Sequence, residues 1–209
     1  LANVLIVAAH PDDEVLGVGG TSLKHAEAGD KVYVLIMCTP RDSDNFGMIC
    51  SNDLLKTTNF MNLQYPDQEL DKQNFTGIVK NIEAAIEEYN ICTIYTHTHK
   101  DLNRDHQITN EAVLVAVRPI PGSTVKNIFA FETPSSTEWN PTTSFNPNYF
   151  VDITKTVIIK LKALAAYGSE IRQYPHPRSL ENVKNLSSIR GSSIGTQNAE
   201  AFEVIRIIE

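Results

Sequence analysis

Residues 3–14 read NVLIVAAHPDDE, and the fold turns on this stretch. Asn3 to Ala9 is a continuous apolar run, the pattern of a strand buried on both faces, and His10-Pro11 stops it because proline cannot donate to a ladder. Glu14 to Ala28 then carries Val15, Leu16, Leu23 and Ala26 and stops at Gly29-Asp30, as a helix lying on a sheet does. Val32 to Cys38 is a second buried strand. Strand, helix and strand joined by short turns form the repeating unit of a parallel sheet.

Further along, Arg41 to Gly47 reads as a loop and Asp53 to Asn62 as a helix of poor periodicity. Phe75, Ile78, Val79, Ile82, Ala85, Ile86 and Tyr89 recur at steps of three and four, one apolar stripe on a helix. Ile91 to Thr96 and Lys126 to Phe131 read as strands, with a helix from Asp105 to Val117 between them. Four strands alternating with helices before residue 131 give the expected class: an α/β, Rossmann-like three-layer fold, its mainly parallel sheet flanked by helices. Residues 133–149, with Pro134, Pro141, Pro147 and the lone Trp139, read as a long loop over a site. Helices from Thr154 to Tyr167 and Leu180 to Arg190 and a last strand from Phe202 to Ile208 complete the layout. At 209 residues, a single domain over 1–209 is the expectation.

Composition excludes several partners. The formal charge is -7, from 18 Lys and Arg against 25 Asp and Glu, which leaves no broad cationic surface for nucleic acid. No apolar run approaches the roughly 20 residues of a membrane span. Cys38, Cys50 and Cys92 form no C-x-x-C and read as buried or incidental, and no secretory leader is read, so a reducing, cytoplasmic setting is expected.

Chemistry concentrates where two strands end. His10-Pro11-Asp12-Asp13-Glu14 follows the first strand, and His97-Thr98-His99-Lys100-Asp101-Leu102-Asn103-Arg104-Asp105-His106 follows the Ile91 strand. Ligands of open α/β sheets sit at the carboxyl ends of strands, so both clusters share one edge. Helix capping explains one or two acidic residues of the first cluster, not all of them. Two His or Asp ligands from the first loop and one His from the second would hold a tetrahedral zinc with one position open, the arrangement of a catalytic site. Gly17-Val18-Gly19-Gly20 is no dinucleotide fingerprint, because carboxylates occupy the turn a pyrophosphate needs; these glycines let the helix approach the sheet.

Ala9-His10-Pro11-Asp12-Asp13-Glu14 followed by Asp101 to His106, with His176-Pro177-Arg178-Ser179 and Ala199-Glu200-Ala201-Phe202, resembles the LmbE-like, or PIG-L, family of metal-dependent de-N-acetylases. The resemblance implies that His10, Asp13 and His106 bind zinc, with Fe2+ equally suited to two His and a carboxylate. It implies that Asp12 is the general base acting on the metal-bound water, and that an N-acetylated amino sugar or its conjugate yields acetate and a free amine. A homo-oligomer is compatible with it. A non-catalytic metal- or nucleotide-binding protein of the same fold is the alternative.

One position departs from the family pattern. Asn103 stands where the second motif commonly has a histidine, and an amide donates a hydrogen bond but delivers no proton near neutral pH. His176, fixed between Pro175 and Pro177, is the first candidate for the acid, and Asp12 returning its proton is the second. Asp105 reads as a support for His106 or a helix cap. The arginine that the family often carries after the second strand is missing from 53–62, which leaves Arg41. Asp67, His99, Trp139 and Arg178 complete the candidate substrate contacts, although Asp67 also suits a turn, His99 a surface loop and Trp139 packing over the core.

Overall fold

The computed structural model describes residues 1–39 and 44–209, without the side chain of Asp44. Strands β1 (Asn3–Ala8), β2 (Lys31–Cys38), β3 (Asn59–Tyr65), β4 (Thr93–His97), β5 (Asn127–Phe131), β6 (Tyr149–Asp152) and β7 (Ala199–Arg206) form one sheet in the order β3-β2-β1-β4-β5-β7-β6. The first five run parallel, and β7 is antiparallel to both β5 and β6. The described helices are α1 (Asp13–Glu27), α2 (Asp44–Leu54), α3 (Phe75–Glu88), α4 (Arg104–Ala116), α5 (Val157–Ala165) and α6 (Leu180–Ser192).

Helices cover both faces. On one, Ile78, Val79, Ile82 and Ala85 of α3 and Ile108, Ala112 and Val113 of α4 pack on Leu5, Val7, Leu35, Met37 and Ile94. On the other, Val18 of α1 joins Val4, Ile6, Val34, Phe131 and Phe202. Outside that layer, α1, α2, α5 and α6 pack together through Leu16, Leu23, Met48, Leu164 and Val183. The glycines of α1 make its close approach possible: a Cβ on Gly17 would collide with the Phe131 ring, and one on Gly20 would lie 2.8 Å from Ile153 Cγ2.

Three local expectations give way. The helix expected over 53–62 does not exist: α2 ends at Leu54, and Asn59–Tyr65 is strand β3. Its Asn and Gln residues hide the strand pattern, because as an edge strand it is only half covered and pairs with β2 alone. Five strands, not four, therefore lie within residues 1–131. Of the loop expected over 41–47, residues 44–47 belong to α2, and Arg41 lies outside the described residues. The long loop ends in a strand, β6, whose pairing with β7 supplies what four residues cannot specify locally.

The strand order reverses between β1 and β4, which lie side by side at the centre of the sheet. Such a switch point opens a crevice at the carboxyl ends of the two strands. Both residue clusters emerge there.

Candidate functional site

The first cluster is held by a strained turn. Asp12 precedes α1 with φ 96° and ψ -28°, a left-handed conformation that costs a non-glycine residue of order 1–3 kcal/mol. Its side chain makes no capping bond to the helix. The turn is tied from below: Glu14 Oε2 accepts the Asp12 backbone N–H at 3.0 Å, while Tyr167 Oη donates to Glu14 Oε1 at 2.6 Å. Burial pushes the Glu14 carboxyl up to about 7, against the pull of the Tyr167 bond.

Three ligand-type atoms converge between the two clusters. His10 Nδ1 lies 3.3 Å from Asp13 Oδ2, His106 Nε2 lies 3.2 Å from the same oxygen, and the two nitrogens are 3.2 Å apart. For zinc bonds of 2.0–2.1 Å, the edge of a coordination tetrahedron is about 3.3–3.4 Å, so this triangle is one face of such a tetrahedron. Asp13 and His106 are fully buried, and the His10 side chain is 15% exposed.

Electrostatics point the same way. Burial alone would strip the proton from His106, yet the Asp13 and Asp101 carboxylates hold its pKa up at about 9. Burial would likewise raise Asp13, but His106, His97 and His10 keep its carboxyl well below the usual range. A site that draws a proton onto a buried imidazole draws a divalent cation more strongly, and two imidazoles with one carboxylate are a donor set that zinc and ferrous iron share.

Each histidine of the triangle is backed by a carboxylate on its outer side. His10 Nε2 faces Asp105 Oδ2 at 3.1 Å, and Asp105 is fixed by the backbone N–H groups of Gln68 at 2.9 Å and Leu70 at 3.1 Å. His106 Nδ1 stands 3.2 Å from Asp101 Oδ2, off the line of a straight hydrogen bond. Asp101 accepts from the Ser136 hydroxyl, from Thr137 Oγ1 at 2.6 Å and from the Asn103 N–H at 2.9 Å. Imidazole backed by carboxylate is the arrangement that fixes ring orientation in metal sites.

Asp12 lies beside the triangle. Its Oδ2 accepts from Arg178 Nη1 at 2.9 Å, and its Oδ1, also buried, has no hydrogen-bond partner among the described residues. Burial pushes its carboxyl well above the usual range, Arg178 pulls it down, and Asp13 and Glu14 push it up again. His10, Asp12, Thr39, Asp67, Gln68, Asn103, Glu170 and Arg178 line a cleft of about 470 Å³, part of it open to solvent.

The other expected residues divide. Asn103 caps α4, its Oδ1 accepting the Asp105 N–H at 2.9 Å, which leaves its NH2 as the group it offers the cleft. Asp67 lines the cleft with Oδ1 at 3.2 Å from His10 Nε2. His176 is not among the lining residues: its Nδ1 accepts the Arg178 N–H at 3.1 Å, and its ring meets Trp139 edge-on at 6.0 Å. Trp139, half exposed, and His99, exposed, also stand outside the lining.

His97 is the histidine of its loop that reaches the site. It is buried and stacks on His106 at 3.9 Å between ring centroids. Its Nε2 accepts the Ala9 N–H at 3.0 Å, so the proton sits on Nδ1 and is donated to Thr133 Oγ1 at 3.1 Å. Its place directly after the apolar run of residues 91–96 is the available signal, and Asp101 shares a motif with His106; Thr133 and Ser136 have none. Cys38 is buried too, its thiol pushed up to about 11 by burial and donating to Asp105 Oδ2 at 3.5 Å.

Fold and site together define a class, the metal-dependent hydrolases built on a Rossmann-like sheet. Within it the chain belongs to the PIG-L family, whose model, described as GlcNAc-PI de-N-acetylase, matches residues 5–117. It is 27% identical over 179 residues to the uncharacterized deacetylase YaiS of Escherichia coli K12, covering 79% of this chain and 90% of that protein. It is 26% identical over 188 residues to the probable N-acetyl-alpha-D-glucosaminyl L-malate deacetylase 2 of Bacillus anthracis, covering 80% of this chain and 81% of that protein. The crystal structure of the conserved protein TT1542 from Thermus thermophilus superimposes with a TM-score of 0.82 at 19% identity, over 100% of this chain and 97% of that one, a likeness of fold. The protein is an N-deacetylase by family. No helix among the described residues is long and apolar enough to cross a membrane.

Proposed function

We propose that this protein hydrolyses the N-acetyl group of an amino sugar or amino-sugar conjugate, with zinc held by His10, Asp13 and His106 and with Asp12 as the base. The observation that carries the reading is the 3.2–3.3 Å triangle of His10 Nδ1, Asp13 Oδ2 and His106 Nε2 with the unpartnered Oδ1 of Asp12 beside it. The family and the amino-sugar substrate in the name of the Bacillus anthracis relative support the substrate class.

A metal ion in that triangle supplies Lewis acidity for the acetamide carbonyl and makes water acidic enough to lose a proton near neutrality. Asp12 takes that proton on Oδ1 as the water oxygen attacks the carbonyl carbon. Asn103 lines the cleft, and its NH2 can donate to the carbonyl oxygen as charge builds there. The carbon–nitrogen bond then breaks, and Asp12 returns its proton to the departing amine, the route left once Asn103 replaces a histidine and His176 stands away from the cleft. Asp105 and Asp101 hold the two imidazoles in place throughout.

The test pairs metal content with acetate release from N-acetylglucosamine and its conjugates. Wild type should hold about one zinc or iron per chain and His106→Ala almost none, whereas Asp12→Asn should keep the metal and lose turnover ~100-fold, as removal of a general base does. Full turnover in Asp12→Asn would remove the base from this role. Metal bound without acetate release from any member of the panel would favour the binding-protein alternative, which the loss of the family histidine at Asn103 keeps in view.

A further inference from the structure

Arg178 is a candidate substrate contact by sequence, yet its guanidinium is committed on two sides. Nε donates to Ser135 Oγ at 2.7 Å and to Pro134 O at 3.4 Å, while Nη1 donates to Asp12 Oδ2 at 2.9 Å and to Glu170 Oε2 at 3.5 Å. Its backbone is as constrained as its head: the N–H is bonded to His176 Nδ1, and the next residue, Ser179, caps α6 by accepting the Asn182 N–H at 3.1 Å. Ser135 is itself held, with φ 70° and its N–H on Glu138 Oε1 at 2.7 Å.

Asp12 needs such a partner. Its backbone is left-handed and its side chain caps nothing, so no local bond chooses which oxygen faces the cleft. We propose that Arg178, braced by Ser135, is the positioning residue of the reaction: it holds Oδ2 of Asp12 so that Oδ1 alone is presented to the attacking water. This rests on the reading of Asp12 as the base. Arginine suits the task because its planar fork holds Ser135 and Asp12 on separate donors in fixed geometry, whereas the donors of a lysine rotate about a single point. The turn that braces it also supplies Ser136 and Thr137 to Asp101 and Thr133 to His97, so one segment sets both halves of the site.

The first experiment measures kcat and KM with N-acetylglucosamine as probe, together with bound metal. Arg178→Ala should lose about 100-fold in kcat, the scale of a misplacement near 1 Å, with KM within about threefold and metal content unchanged. Millimolar guanidinium should restore at least about tenfold, since a free cation can refill the place beside Asp12. Ser135→Ala, a milder change, should lose about fivefold in kcat and add nothing further in the Arg178→Ala background, as members of one network do. A raised KM with kcat kept would make Arg178 a substrate contact and overturn the proposal, and so would a folded Arg178→Ala that guanidinium does not rescue.

A second experiment needs no turnover. Unfolding midpoints of wild type, Asp12→Asn, Arg178→Ala and the double variant should show that the double variant unfolds no lower than Arg178→Ala alone. Additive losses would overturn the clamp. Coupled midpoints in a protein that releases no acetate would refute the deacetylase reading and leave the clamp standing.

Discussion

At the scale of single residues, Glu14 shows how the site stores an electrostatic cost beneath its chemistry. Its carboxyl, fully buried, bridges the Asp12 N–H and Tyr167 Oη, and burial lifts it to about 7. A carboxyl whose folded pKa lies above its unfolded value binds more protons in the folded state between the two, so stability falls as pH rises from about 4.5 to about 7. Linkage puts that loss at ~3 kcal/mol. Glu14→Gln should abolish this part of the slope, because an amide can accept from Asp12 and donate to Tyr167 without ionising. Urea unfolding of metal-free protein at pH 5 and pH 7.5 measures it; an unchanged slope would show that Glu14 is charged throughout.

At the scale of elements, helix α1 carries the Asp12 turn and is fastened at its middle. Glu200 of β7 accepts the backbone N–H groups of Gly20 at 2.8 Å and Thr21 at 2.7 Å, and Lys160 of α5 donates to Glu200 Oε1 at 2.6 Å and to Leu16 O at 2.8 Å. Both side chains are 4% exposed, so the pair lies inside the protein, where removing one partner costs about 3–5 kcal/mol. Lys160→Met should destabilise by that order, and Lys160→Met with Glu200→Gln should recover part of it, since the amide leaves no stranded charge and its oxygen still accepts one of the two α1 N–H groups. Chemical denaturation of the three proteins decides; equal losses in the single and double variants would mean that packing of the lysine stem, not charge, is what α1 depends on.

At the scale of the whole molecule, the triangle joins two chain segments that the sheet alone brings together, the exits of β1 and β4. An ion bound only by the folded state stabilises it by about 4 kcal/mol at a thousandfold excess over Kd, equivalent to about 8–16 °C in Tm for a chain of this size. Treatment with a chelator should lower Tm by that order in wild type and leave His106→Ala unmoved. A chelator shift of the same size in both would place the stabilising ion elsewhere.

What the sequence determined by itself is local or periodic. Apolar runs announced β1 and β2, the three-and-four stripe announced α3, and the placement of His10, Asp12, Asp13 and His106 just after strands marked the cleft edge, because burial and chain direction leave their trace in neighbouring residues. It failed where that trace is weak: β3 carries Asn and Gln at a half-covered edge, and β6 is four residues long. Tertiary structure alone decided that His97 rather than His99 stacks on His106, that Asp101 stands behind it, and that Arg178 meets Asp12 across 166 positions of chain. Side-chain periodicity specifies which face of an element is buried, but which distant charges meet depends on strand order and helix placement, and those exist only once the sheet has assembled.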